Sequence, residues 1–264
     1  MVPNVVSAVA CCMLLRAATA AGCAVPLQPT QKGYLVELRA GGAGPFRFLF
    51  DTGSSMTVVT PALAQQLSLD VTGTAQAQTT SGRVETGMGT IREVSVGGEQ
   101  RDELSVLVAA LPHFPGHGRI HGILGADFLA GRSYRIDLQQ RCVTLDPAVS
   151  RGTRIEAEEV AGRLALKVDA MNLVLDSGAS FPVLLSARAR ALARETGRFE
   201  MTTAAGIHSA ASGVIERLRI GDVSLRGVAA AFAAQHDPRE DALIPITLFR
   251  EVYVAADRRS AVVR

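Results

Sequence analysis

The feature that most constrains this chain is that it echoes itself. "LFDTGSSMTVVTPALAQQL" at residues 49–67 returns as "VLDSGASFPVLLSARARAL" at 174–192, which sets Asp51 and Asp176 125 positions apart (176 − 51). The echo continues. "TIREVSVGG" (90–98) matches "VIERLRIGD" (214–222), "GILGADFL" (122–129) matches "ALIPITLF" (242–249), and "YRIDLQQRCVTL" matches "VYVAADRRSAVV". The lead-in segments agree too: Tyr34, Val36 and Leu38, like Leu164, Leu166 and Val168, alternate as half-buried strands do. Self-similarity on this scale means two copies of one structural unit.

Each copy holds about seven short strand candidates and one helix. Apolar runs broken by glycine ("VSVGGE", "LRIGDV", "HGILGA") favour strands joined by tight turns. A helix is expected after each acid loop, over "PALAQQLSLD" and over "SARARALARET", the second with Ser186 as N-cap. The polar, Pro- and Gly-containing "DPAVSRGTR" (146–154) divides the chain into lobes at 24–150 and 151–264. The fold class is therefore all-β and two-lobed. With 48% hydrophobic residues among 264, the chain can bury a large core. Its net charge is +2, Lys32 and Lys167 are its lysines and its arginines are scattered, so no basic face marks a nucleic-acid binder.

Residues 1–23 differ in kind. "VVSAVACCMLL" is too short to span a bilayer and is followed by the small residues "AATAAGC", which reads as an export signal for the periplasm or beyond. Two processing routes stay open: ordinary cleavage near Ala20, or a lipobox at Ala20-Ala21-Gly22-Cys23 that makes Cys23 a lipid anchor. Cys11, Cys12 and Cys23 fall in this segment, which leaves Cys142 alone. No intrachain disulfide is then expected, and Cys142 reads as a small buried hydrophobe on a strand.

A lone Asp after an apolar strand ordinarily forms a turn or caps a helix. Two in equivalent places change that: if the lobes pair about a pseudo-twofold axis, Asp51 and Asp176 face each other. "FDTGSS" and "LDSGAS", each followed about 70 residues later by Ile123-Leu124-Gly125 or by Leu243-Ile244 before Pro245, resemble the aspartic proteases. The lobes resemble two fused retropepsin-like subunits of a bacterial exported type, and the resemblance covers residues 30–264. It implies two pseudo-twofold-related retropepsin-like β-barrel lobes with the active site between them. It also implies hydrolysis of peptide bonds in a peptide or protein by Asp51 and Asp176, which share one proton and activate a water. Neither metal nor cofactor is required, and the chain works as a monomer. Thr52 and Ser177 reach across to the opposite loop's backbone, Gly53 and Gly178 admit the turns, and Ser54 donates to Asp51 where Ala179 has nothing to give Asp176. That asymmetry puts the shared proton on Asp176.

The same resemblance assigns substrate-covering flaps to 79–90 and 202–213, with Gly82, Gly87, Gly89, Gly206, Ser212 and Gly213 as their flexible positions. Pro245 stands where a glycine is expected and lacks an N–H, so the support of Asp176 is altered. This keeps a second function in play, a catalytically impaired peptide-binding module of the same fold; a structural envelope protein is a third. Two facing carboxylates repel and bring a purely structural lobe nothing, which favours the hydrolase. His113, His117 and His121 recur every fourth residue, but Pro115, Gly116 and Gly118 break any helix there. A loop at the cleft's edge is expected rather than a metal site.

Overall fold

The computed structural model describes residues 22–79, 82–114 and 116–264; the expected export segment as far as Ala21 lies outside the described residues. In the first half, eight strands lie side by side in the order Gln28–Pro29, Tyr34–Ala40, Ala43–Phe50, Gly122–Leu124, Thr57–Val59, Glu99–Val108, Gly82–Val96 and Thr72–Thr79. Tyr34–Ala40 also pairs with Gly82–Val96, which closes a six-stranded barrel. The second half has the same order: Thr153–Val160, Arg163–Val168, Met171–Asp176, Ala242–Pro245, Val183–Leu184, Val228–Phe232, Gly206–Ile215 and Ala193–Thr203. The fold is all-β, two-lobed and retropepsin-like, as expected.

Strand direction follows from burial. In each half the strand leading to the acid lies parallel to a short apolar strand: Ala43–Phe50 beside Gly122–Leu124, and Met171–Asp176 beside Ala242–Pro245. Toward their acid ends both faces of these strands are covered, so Phe48-Leu49-Phe50 and Leu173-Val174-Leu175 read as continuous apolar runs rather than as alternation. Phe48 and Phe50 are fully enclosed, and so are Leu173 and Ile244 opposite. Gly122 is dictated by this packing, since a Cβ there would lie 2.3 Å from the Phe48 ring and from the Val58 carbonyl.

The lobes are joined by a six-stranded segment of sheet. Val25–Pro26, Cys142–Leu145 and Tyr134–Asp137 come from the first half, and Glu251–Val254, Ser260–Val263 and Thr153–Val160 from the second. The two halves meet where Tyr134–Asp137 pairs antiparallel with Glu251–Val254. The buried Arg258 guanidinium fastens the junction, donating to the Tyr134 hydroxyl at 3.2 Å and to the Leu129 carbonyl at 3.0 Å.

Cysteine chemistry differs from expectation. Cys23 is disulfide-bonded to Cys142, with Cα atoms 5.7 Å apart. The strand Val25–Pro26 pairs with Cys142–Leu145, which brings Cys23 alongside. Cys23 thus belongs to the folded unit, and its sulfur, bonded to Cys142, leaves no thiol for a lipid. The helices also differ. Thr60 caps Pro61–Gln66, and Ser186 caps Ala187–Arg190 through its Oγ, which accepts from Ala189 N at 3.1 Å. The second helix is only four residues long, because from Ala193 onward the chain is committed to pairing with Gly206–Ile215. Among the described residues no helix is long and apolar enough to cross a membrane.

Candidate active site

Each acid stands where a central strand ends against its parallel neighbour. The Asp51 N–H donates to the Leu124 carbonyl at 3.0 Å, and Asp176 stands in register with Pro245. The loops that follow interlock through four hydrogen bonds. Ser177 Oγ accepts from Thr52 N at 2.8 Å, and Thr52 Oγ1 accepts from Ser177 N at 3.1 Å. The same two hydroxyls donate to the carbonyls of Phe50 and Leu175, both at 2.8 Å. Thr52 and Ser177 are buried, so a hydroxyl without these partners would be costly. The structure therefore places both residues across the pseudo-twofold axis.

Gly53 and Gly178 are needed for a reason other than turn geometry. Neither adopts left-handed backbone; instead each lies against the opposite lobe's acid. A Cβ on Gly53 would be 2.4 Å from Asp176 Cγ, and one on Gly178 would be 2.6 Å from Asp51 Cγ. Only glycine allows the loops to approach closely enough for the carboxyls to meet.

The carboxyls are close enough that each acts on the other's protonation. Asp51 Oδ1 accepts from Gly53 N at 2.9 Å, whereas Asp176 Oδ1 accepts from both Gly178 N and Ala179 N, at 2.8 and 2.9 Å. Burial pushes Asp51 well above the usual carboxylate range, and the charge of Asp176 pushes it further. Burial raises Asp176 as well, but Asp51, the N–H groups of Gly178 and Ala179, and the Arg163 guanidinium all pull it back. Burial thus raises both carboxyls, which titrate as a pair, and the Arg163 guanidinium acts to lower Asp176. The Ser54 hydroxyl, expected to donate to Asp51, donates instead to the Met56 carbonyl at 2.8 Å.

Pro245 turns out to be matched by a second proline. In the first lobe Gly125 N donates to Thr57 Oγ1 at 3.2 Å, and Thr57 in turn donates through N and Oγ1 to Asp127, both at 2.8 Å. Pro245 corresponds to Gly125 and Pro182 to Thr57. The second lobe has therefore lost the donor and its acceptor together, and no orphaned hydroxyl remains. The Asp176 loop keeps its two N–H contacts.

A cleft of about 720 Å³ runs between the lobes over the two acids. It is roofed by the first strands of two hairpins, through residues 75–79 and 200–204. At the tips, Thr79 Oγ1 donates to the Gly82 carbonyl at 2.9 Å and Thr203 Oγ1 to the Gly206 carbonyl at 3.4 Å. The expected flap positions need correction: Gly82, Gly87, Gly89, Gly206, Ser212 and Gly213 do not line the cleft. Gly87 and Gly213 lie at the hairpin roots, where a Cβ would fall 2.5 Å from Val71 Cγ1 or 2.6 Å from Phe232 Cζ. Phe114 and His117 line the cleft from the histidine loop, while His121 Nδ1 accepts from Arg47 N at 3.1 Å. Among the described residues no group of three or more His, Cys, Asp or Glu side chains is placed to hold a metal ion.

Sequence reasoning passed over Arg163 and Glu240, which form an ion pair in the cleft wall. The available signal was their mismatch with the first copy, where the corresponding positions hold Gly33 and Ile120.

Two retropepsin-like lobes that interlock their acid loops beneath a shared cleft define a class, the enzymes built around a pair of aspartates. A family model described as aspartyl protease matches residues 36–128 and 160–246, and the chain belongs to that family. No individual curated protein matches the chain.

Proposed function

We propose that this protein is an aspartic endopeptidase that cuts within an extended segment of a peptide or protein, using a water held between Asp51 and Asp176. One observation carries this reading: two acids 125 positions apart (176 − 51) line one cleft, each packed against the glycine of the opposite acid loop. Paired carboxyls that share one proton are the established basis of aspartic-protease chemistry. Asp176, as the ionised partner, takes a proton from the water as it attacks the peptide carbonyl. Asp51, as the protonated partner, donates to the carbonyl oxygen on which charge develops. Collapse of the tetrahedral intermediate returns a proton to the departing nitrogen, so no covalent enzyme intermediate is formed.

The substrate backbone lies extended beneath residues 75–79 and 200–204 and pairs with them as an added strand. One chain supplies both acids, so a monomer suffices. The Cys23–Cys142 disulfide supports an exported protein, periplasmic or secreted, because such bonds persist in oxidising compartments. The matched prolines at 182 and 245 support an intact dyad over an impaired one.

A cleavage assay on unfolded protein and on a peptide library tests the proposal. Asp51→Asn and Asp176→Asn should each lower kcat by at least about 10²–10⁴-fold while the far-UV spectrum stays that of the wild type. Cleavage untouched by either substitution rules the mechanism out.

A further inference from the structure

Arg163 opens the strand Arg163–Val168, and its guanidinium performs two tasks at once. Nη1 donates to the Gly53 carbonyl at 3.3 Å, across the lobe boundary, and Nη2 pairs with Glu240 Oε1. Both side chains are largely buried, at 17% and 8% exposure, and both line the cleft. Glu240 is itself anchored by backbone, since its carbonyl accepts from Gln235 Nε2 at 2.8 Å.

Stability does not account for this pair. Withdrawing two charges from water costs several kcal/mol, and apolar replacements of similar volume are often as stable or more so. This molecule contains its own comparison: by strand register Gly33 stands in the place of Arg163, and Ile120 in the place of Glu240. That lobe fills the position with partly buried Ile120 packed beside Leu35, Leu49 and Ile123, and folds without an ion pair there. What the charged pair adds is a donor to the loop of Asp51 and a positive charge on one side of the two acids.

Resting on the aspartic-endopeptidase reading, we propose that Arg163 is a positioning residue for the dyad. Its guanidinium, braced by Glu240, fixes the Gly53 carbonyl and sets a positive charge beside Asp176, so that the two acids take unlike roles. Gly53 is the right point of contact, because its Cα lies directly against the Asp176 carboxyl. The charged and titratable groups facing Asp176 are Asp51 from the opposite loop, Arg163 from its own lobe, and Glu240 and Asp237 from the segment before Ala242–Pro245. Lys32, His117, Glu200 and His236 stand further out along the cleft wall. Arg163 is the cation among them that acts to hold Asp176 in its charged form.

The experiment uses the full chain and three variants: Arg163→Met, Glu240→Gln, and the double variant Arg163→Gly/Glu240→Ile, which transplants the other lobe's residues and leaves no lone buried charge. Two readouts are taken, the pH profile of kcat/KM on a cleaved peptide and the carbon-13 NMR titration of the aspartate Cγ atoms. Losing Arg163 alone should move the acid limb up by about one pH unit, and the double variant, which loses the cation and its counter-charge together, should move it up by less. Glu240→Gln, which keeps the cation and removes its counter-charge, should move the limb the other way. Folded variants whose acid limbs and Cγ titrations superimpose on the wild type overturn the proposal and leave the pair a structural one. If the wild type cuts nothing, the endopeptidase reading fails instead, and the Cγ titration still decides what Arg163 does to Asp176.

Discussion

Asp51 and Asp176 occupy matching loops, and backbone N–H groups act to lower both, yet their surroundings are not identical. Burial raises both carboxyls, and a guanidinium, that of Arg163, acts on Asp176 to lower it. This has a consequence for stability. A carboxyl whose folded pKa is raised contributes stability that is full below its unfolded value, about 4, and is lost as pH rises through the folded value. Asp51→Asn needs no proton and escapes that loss. Its stability relative to wild type should therefore increase between about pH 4 and about pH 8, and urea unfolding at both ends of that range measures it. A second expectation concerns spacing. Gly53→Ala puts a methyl group within 2.4 Å of Asp176 Cγ and must drive the loops apart. Its kcat/KM should fall about a hundredfold, read in the peptide assay with the fold checked by circular dichroism. The sequence disclosed Asp51, Asp176, Thr52 and Ser177 because each stands in both copies of the motif. It did not disclose the partner of Ser54, because a hydroxyl chooses among acceptors whose positions only the folded loop defines.

Among the elements, the parallel central strands were the most legible, since an apolar run that ends in an acid has few places to go except the middle of a sheet. The hairpins over the cleft were legible as hairpins and misread in detail. Their glycines suggested mobile tips, whereas Gly87 and Gly213 serve close packing at the roots and the cleft is roofed by residues 75–79 and 200–204. Gly213→Ala should therefore tilt the second hairpin without touching the acids. We expect kcat/KM for a long peptide to fall about tenfold, at a stability cost of ~1–3 kcal/mol, as measured by peptide kinetics and by urea unfolding. The short second helix was illegible for a different reason. "ALARET" has good helix formers, but the hairpin needs Ala193–Thr203 as its outer strand, and tertiary pairing overrides propensity.

At the scale of the whole molecule, the chain's two ends help to bind its halves: Val25–Pro26 and Ser260–Val263 both lie in the six-stranded segment between the lobes. Cys23–Cys142 closes a span of 119 residues there. Breaking it by reductant or by Cys142→Ala should lower stability by about 2–5 kcal/mol, seen as a shift in the urea midpoint of the wild type that the variant no longer shows when reductant is added. This bond was invisible in the sequence because Cys23 follows a run of small residues that looks like discarded leader, and its partner is a neighbour only in space. The one-sided ion pair of Arg163 and Glu240 has a further bearing. A groove with identical banks gives a bound polypeptide no means of telling head from tail, and the same contacts greet it in either orientation. Here one bank carries a salt link where the equivalent positions of the other, Gly33 and Ile120, carry no charge, so a peptide and its reversed-order counterpart meet different chemistry.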